Sequence, residues 1–254
     1  MIRSIDMPIN LRKSPDWNLN RGVRTVGTTG QMRLQVPPAA PTVVTSGLVL
    51  YLDAGNASSY PGSGTTWTDL SGNGNNVTLV NSPTWNSIEG FTFNGINQYG
   101  TLPMSGFPSG ANARTSSVWF KPLGNASVQK WVLSYGNSST AQIFATGAAN
   151  GFVFLGGFNY DYQTGYGISS GTRYHVAFAF NGTTLSAYVN GSFLSSTSFS
   201  SLNTVLTEAN IGRLSAPYGQ YFEGSTSEVM LYNRALSASE ILQNYNVTKT
   251  RYGL

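Results

Sequence analysis

Hydrophobic and polar positions alternate in short runs along this chain, most clearly over residues 173–194, RYHVAFAFNGTTLSAYVNGSFL. Tyr174, Val176, Phe178 and Phe180 alternate with His175, Ala177 and Ala179, the period of two that sets one group of side chains on one face of a strand. Beyond Asn181-Gly182-Thr183 the alternation resumes, with Leu185, Ala187 and Val189 against Ser186, Tyr188 and Asn190. Asn190-Gly191 then turns the chain again, because both residues tolerate the positive φ of a two-residue hairpin. The face carrying Phe178 is expected in a core, and His175 toward another layer or solvent.

The same reading predicts further strands near 48–53, 77–80, 91–94, 98–102, 115–121, 130–135, 141–146, 151–156, 193–198, 207–212 and 225–232. Asn94-Gly95, Gly106-Phe107-Pro108 and Asn150-Gly151 separate them. Many short strands with Gly/Asn punctuation indicate an all-β sandwich rather than a fold of helical crossovers. One helix is expected, at the end. Ser237-Ala238-Ser239-Glu240 reads as a capping box, with Leu236 and Ile241 as a hydrophobic staple, before a short helix to about Asn244.

The N-terminal part differs. Residues 1–22 show no sustained period, and Val23 to Val26 with Gln31 to Val36 flank Gly27-Thr28-Thr29-Gly30 as a small hairpin. Pro37-Pro38-Ala39-Ala40-Pro41 favours extended polyproline geometry. The expected organisation is a basic arm over 1–36, a Pro-rich linker over 37–45 and a sandwich over 46–254.

Five stretches resemble one family in order. LVLYLDAG (Leu48 to Gly55) with WTDLSGNGNNVTL (Trp67 to Leu79) is similar to the opening strand and loop of the laminin-G-like, concanavalin-A-like jelly rolls. HVAFAFNGTTLSAYVNG is similar to their central hairpin, and Ile211-Gly212-Arg213 with FEGSTSEVMLYNRALSASE (Phe222 to Glu240) to their closing strands. The resemblance covers about 46–254 and is nearest to the versions found in bacteriophage structural proteins. It implies a concanavalin-A-like jelly roll with an extended N-terminal arm and a short C-terminal helix. For function it implies a non-enzymatic virion component, a capsid decoration or tail-associated subunit. The partners implied are capsid or tail proteins and other copies of the chain.

Charge sharpens this picture. Only 9% of the 254 residues are charged, and the formal +4 is unevenly placed. Residues 1–45 hold six basic residues (Arg3, Arg12, Lys13, Arg21, Arg24, Arg33) against Asp6 and Asp16. The remaining eight basic and eight acidic residues cancel, so the sandwich is neutral and the arm carries the whole excess. Arg12, Lys13, Trp17, Arg21, Arg24, Met32, Arg33 and Leu34 are therefore the expected attachment residues of the arm. Their basic members are spread rather than clustered, which disfavours nucleic acid and suits an acidic protein surface or strand addition.

There is no cysteine, hence no disulfide or thiolate metal site. The start MIRSIDMPINLRKSPDW lacks the apolar run of a signal peptide, and no stretch approaches the ~20 apolar residues of a membrane span. The expectation is a protein made soluble in a host cytoplasm and carried in the virion.

Candidate chemistry is sparse. Asp69-Leu70-Ser71-Gly72-Asn73-Gly74 partly resembles a calcium loop, but the twelfth position is Val80 rather than Glu. A plain Asn/Gly turn is the better reading, with Asp53, Asp69 and Asn73 as the lesser calcium candidates and no cofactor otherwise. Laminarinase-type enzymes on a related jelly roll carry Glu-x-Asp-x-x-Glu on one strand, absent here. Glu223 and Glu228, five apart, should face opposite ways on a continuous strand, so no carboxylate pair for glycoside hydrolysis is expected. Phe158, Tyr160, Asp161, Tyr162 and Tyr166 gather in what reads as a loop. Rings beside acceptors suit a protein interface first, with cover for the sandwich edge as the second reading and a surface glycan as the third. Glycan recognition by a carbohydrate-binding module or adhesin is the alternative function.

Overall fold

The computed structural model describes residues 24–26, 32–34, 42–125, 129–137, 139, 142–149, 151–156, 161–200, 202–215, 218 and 220–254. The chain divides into two units, 1–40 and 41–254. In the first, β1 (Arg24–Val26) and β2 (Met32–Leu34) pair antiparallel, with Val26 opposite Met32. Arg12, Lys13, Trp17 and Arg21 lie outside the described residues, as do the side chains of Arg24, Met32, Arg33 and Leu34.

The second unit opens with β3 (Leu48–Asp53), β4 (Thr66–Trp67), β5 (Val77–Val80), β6 (Thr84–Asn86), β7 (Gly90–Asn94) and β8 (Tyr99–Thr101). It continues with β9 (Arg114–Pro122), β10 (Lys130–Gly136), β11 (Ile143–Ala149), β12 (Phe152–Gly156), β13 (Tyr162–Gly167) and β14 (Tyr174–Phe180). It closes with β15 (Thr184–Val189), β16 (Ser192–Ser198), β17 (Ala209–Ile211), β18 (Glu223–Tyr232), α1 (Ala238–Thr248) and a 3-10 turn, Lys249–Tyr252. All strand pairs are antiparallel. One sheet runs β13-β12-β11-β10-β17-β8-β5-β4, the other β16-β15-β14-β9-β18-β7-β6, with β3 added beside β18. This is a two-sheet sandwich with a single α-helix among the described residues.

The hairpin of β14 and β15 lies where its alternation predicts. Tyr174, Val176, Phe178 and Phe180 enter the core between the sheets with Leu185, Ala187 and Val189. Asn190 (φ 50°) and Gly191 (φ 77°) make the two-residue turn into β16. His175, Ala177 and Ala179 point the other way, onto a second apolar layer. Helix α1 covers that layer with Ile241, capped by Ser237, whose hydroxyl accepts from Glu240 N while Glu240 accepts from Ser237 N.

Several expectations are corrected. Residues 42–45, expected as linker, belong to the sandwich: Val43 and Val44 are buried in the α1 layer, and Asn244 Oδ1 accepts from Val44 N at 2.8 Å. The helix runs to Thr248 rather than Asn244, because Asn244 and Thr248 are themselves buried against the sheet. Residues 162–166, expected as loop, form β13, since Tyr162 and Tyr166 pack on the core and the strand pairs with β12. The short strands β4 and β6 carry too few residues to show a period and were not expected.

Strand β18 changes neighbours midway. Its first half pairs with β7 and its second with β3, and a bulge between Thr226 and Glu228 lies at the switch. The bulge resets the alternation: Val229 and Leu231 face the sandwich core, Met230 and Tyr232 the α1 layer. Glu228 therefore falls on the same side as Met230, and five-residue spacing no longer sets it opposite Glu223.

Candidate functional site

On the outer face of the β10–β13 side of its sheet, β10, β11 and β12 with Leu214, Tyr218 and Gln220 line a cleft of about 200 Å3. Gln129, Trp131, Ile143, Gly156, Asp161, Leu214, Tyr218 and Gln220 line it. The bulge in the β10–β11 pairing between Trp131 and Leu133 creates the floor. Val132 and Leu133 both enter the sandwich core, leaving Trp131 outside with Ile143, Ala145, Ala149 and Leu214.

Two features fix the indole. Trp131 Nε1 donates to Gln220 Oε1 at 2.6 Å, tying the loop to the sheet and leaving the Gln220 amide nitrogen as a donor. Beneath the ring lies Gly156, where an added Cβ would come within 2.4 Å of the indole. Only glycine permits this approach. Tyr218 is half-exposed, and Asp161 is exposed. The cleft thus combines an indole and a phenol with amides and a carboxylate, matching a ligand with apolar faces and hydroxyl edges.

Of the described residues in the cluster expected over 158–166, only Asp161 joins this cleft. Tyr162 turns toward β16, its hydroxyl 2.6 Å from Ser195 Oγ, and Tyr166 packs edge-on against Tyr174. Phe158 and Tyr160 lie outside the described residues. Trp131, Tyr218 and Gln220 were missed because they come from a strand and a loop that sequence periodicity does not join.

The calcium candidates engage the chain's own donors. Asp69 Oδ1 accepts from Tyr51 N and Ser71 N, and Oδ2 from Ser71 Oγ and Asn75 N. Asn73 donates to Leu48 O. Asp53 receives both guanidinium nitrogens of Arg251. A cation would have to displace N–H and O–H donors from Asp69 and an arginine from Asp53. Among the described residues no three His, Cys, Asp or Glu side chains cluster to hold a metal.

The α1 layer encloses a histidine and a carboxyl group, His175 and Glu228. His175 Nε2 lies 2.8 Å from Ser117 Oγ, its Nδ1 has no partner, and burial pushes its pKa down to about 3. Glu228 lies directly opposite Asp53 across the β18–β3 pairing, and neither of its oxygens has a hydrogen-bond partner. Burial first, then the Asp53 charge, hold its pKa well above the usual carboxylate range. Glu223 pairs instead with Lys130 at 3.3 Å. The two carboxylates of β18 are thus in separate environments, one shut beneath the helix.

These two groups give opposite pH slopes. Below pH 6.5 the unfolded chain takes up a proton at His175 that the folded chain refuses, so stability falls as pH drops toward about 3. Above pH 4.5 the folded chain keeps a proton on Glu228 that the unfolded chain releases, so stability falls as pH rises toward its elevated folded value. Their combined contribution peaks between 4.5 and 6.5. Glu228→Gln is expected to raise the melting temperature at pH 8 and to lose that advantage toward pH 4.5, each kcal/mol relieved being worth about 2–4 °C. An equal shift at both pH values in calorimetric scans would show that Glu228 is charged in the fold.

Comparison with known proteins adds to this geometry. The profile of the concanavalin A-like lectin/glucanases superfamily matches residues 93–242. No curated protein sequence matches the chain. Among solved structures, domain 4 of the extracellular GH43 arabinanase AbnA from Geobacillus stearothermophilus, solved with arabinotriose, aligns with a TM-score of 0.57 and 19% identity. That alignment covers 78% of this chain and 98% of the domain. The botulinum neurotoxin serotype D ligand-binding domain, solved with N-acetylneuraminic acid, aligns at 0.60 and 13% identity over 80% of this chain and 51% of the toxin domain. A Trypanosoma rangeli sialidase mutant displaying trans-sialidase activity aligns at 0.54 and 19%, over 84% of this chain and 35% of that enzyme. At these identities the likeness is one of fold.

Proposed function

This chain belongs to the concanavalin A-like lectin/glucanases superfamily, and on that premise we propose that it is a non-catalytic glycan-binding domain whose site is the Trp131 cleft. The observation that carries the reading is the cleft itself: fixed indole, half-exposed phenol, two amides and a carboxylate around one concavity. Such a lining offers stacking to the C–H face of a sugar and hydrogen bonds to its hydroxyls. Similar folds solved with arabinotriose and with N-acetylneuraminic acid support the ligand class. A binding role also fits β18, whose carboxylates are engaged with Lys130 or shut beneath α1.

Tyr218→Ala is expected to weaken binding on a glycan array and in calorimetry by about 1–3 kcal/mol, as for a buried aromatic contact, without lowering the melting temperature. Unchanged binding would place the site elsewhere.

A second reading, display of this domain on a virion by its N-terminal arm, draws on the charge partition. All of the formal +4 lies in residues 1–45, and the sandwich is neutral. In addition, β1 and β2 have three residues each, a hairpin marginal in water without a partner surface. Capsid or tail subunits, or further copies of this chain, would supply that surface. A chain shortened to residues 41–254 is expected to stay folded, since it retains Val43 and Val44, and to lose incorporation into particles. Retained incorporation would refute the tether.

A further inference from the structure

We propose that the Trp131 cleft accepts one neutral sugar ring and rejects sialylated or sulfated rings, a specificity that rests on the glycan-binding reading above. The cleft volume, about 200 Å3, is below the ~300–1,000 Å3 of pockets for drug-sized ligands, so it suits a single ring. Among the described lining residues Asp161 is the one that carries a charge.

Recognition of a sugar carboxylate or sulfate draws on arginine or lysine, which supply charge-assisted hydrogen bonds. The neighbouring cations are already committed. Lys130, next to both Gln129 and Trp131, pairs with Glu223. Arg213, beside Leu214, pairs with Glu208 at 3.0 Å and lies over the Tyr99 ring, 4.0 Å from its centroid. Moving either to an anionic ligand would strip a carboxylate of its partner. In the sequence next to Asp161 and Tyr218, residues 157–160, 216, 217 and 219 contain no Lys or Arg. Asp161 therefore meets an anionic ring with like charge, a repulsive element that discriminates without any added contact to the favoured ligand.

The neutral donors and acceptors fit the complementary part. Gln220, held through its carbonyl by Trp131 Nε1, presents N–H groups, and Gln129 supplies both donors and an acceptor. An equatorial hydroxyl pair on a neutral ring satisfies such a set.

The full-length protein should be applied to an array of neutral oligosaccharides printed beside the same oligosaccharides capped with sialic acid or sulfate, followed by calorimetry with lactose and 3′-sialyllactose or with the strongest neutral hit and its capped form. The expected result is a preference of about ten-fold or more for the neutral member, which Asp161→Lys narrows or reverses while leaving the melting temperature unchanged. Equal or tighter binding of the capped member overturns the neutral specificity and leaves the glycan-binding reading intact. Binding that prefers the neutral member but is indifferent to both Asp161→Lys and Tyr218→Ala overturns the assignment to this cleft. Binding to no glycan removes both readings.

Discussion

Phe178→Ala is expected to destabilise the protein by about 3–5 kcal/mol, the range for truncating a buried aromatic side chain. Phe178 is 0% exposed and sits mid-strand in β14, paired with Ser116 of β9 and Ala187 of β15. Small partners on both sides leave the ring to fill the space between the sheets, so neither neighbour can collapse into the cavity. Phe178→Leu, which keeps most of the volume, should lose much less. Denaturant unfolding measures both, and a loss below about 1 kcal/mol for the alanine variant would mean that the ring is not part of the core.

Arg114→Met is expected to cost a similar amount, about 3–5 kcal/mol, although it replaces a charge with an apolar chain of like length. Arg114 is fully buried and makes no ion pair among the described residues. Its guanidinium instead donates to Asn112 O, Ser109 O, Gly110 O, Tyr135 Oη and Thr204 Oγ1. The rings of Tyr135, Phe144 and Phe180 surround it at 5.5–5.9 Å. Five acceptors from three segments converge on one cation, and removing it leaves several of them buried without a donor. Arg114→Lys keeps the charge but not the planar fork, and should recover only part of the loss. A methionine variant as stable as the native protein in the same unfolding experiment would show that these acceptors rehydrate freely.

Arg114 also shows what the sequence conceals. Nothing in RTSSVWFKP distinguishes an arginine at a strand's start from one in solvent, and the expected strand began one residue later. Its acceptors are contributed by the 109–112 turn, Tyr135 and Thr204, up to 90 positions away. By contrast, the capping box of α1 was legible because all of its members lie within four residues, and its geometry depends on the local backbone alone.

For the candidate site the division is sharper. Asp161 was singled out for its aromatic neighbours, yet Tyr162 and Tyr166 proved to be strand residues packed on the core. Tyr-rich composition does not tell a binding loop from an edge strand, since amphipathic rings suit both. Trp131 lay within an expected strand, but strict alternation would have set it and Leu133 on one face; the bulge separates them. Gln220 meets it through a hydrogen bond between residues 89 positions apart.

The sequence by itself determined the all-β class, the register of β14 and β15, the turn at Asn190-Gly191 and the helix start at Ser237, because each follows from side-chain period or backbone preference over a few consecutive residues. Tertiary structure alone decided that residues 42–45 dock on α1, that Glu228 is held against Asp53, and that Trp131 becomes the floor of a cleft. The physical reason is common to the three. Bulges at Trp131 and before Glu228 reset which face a strand presents, and the partners that give each residue its role arrive from distant segments only when the two sheets close.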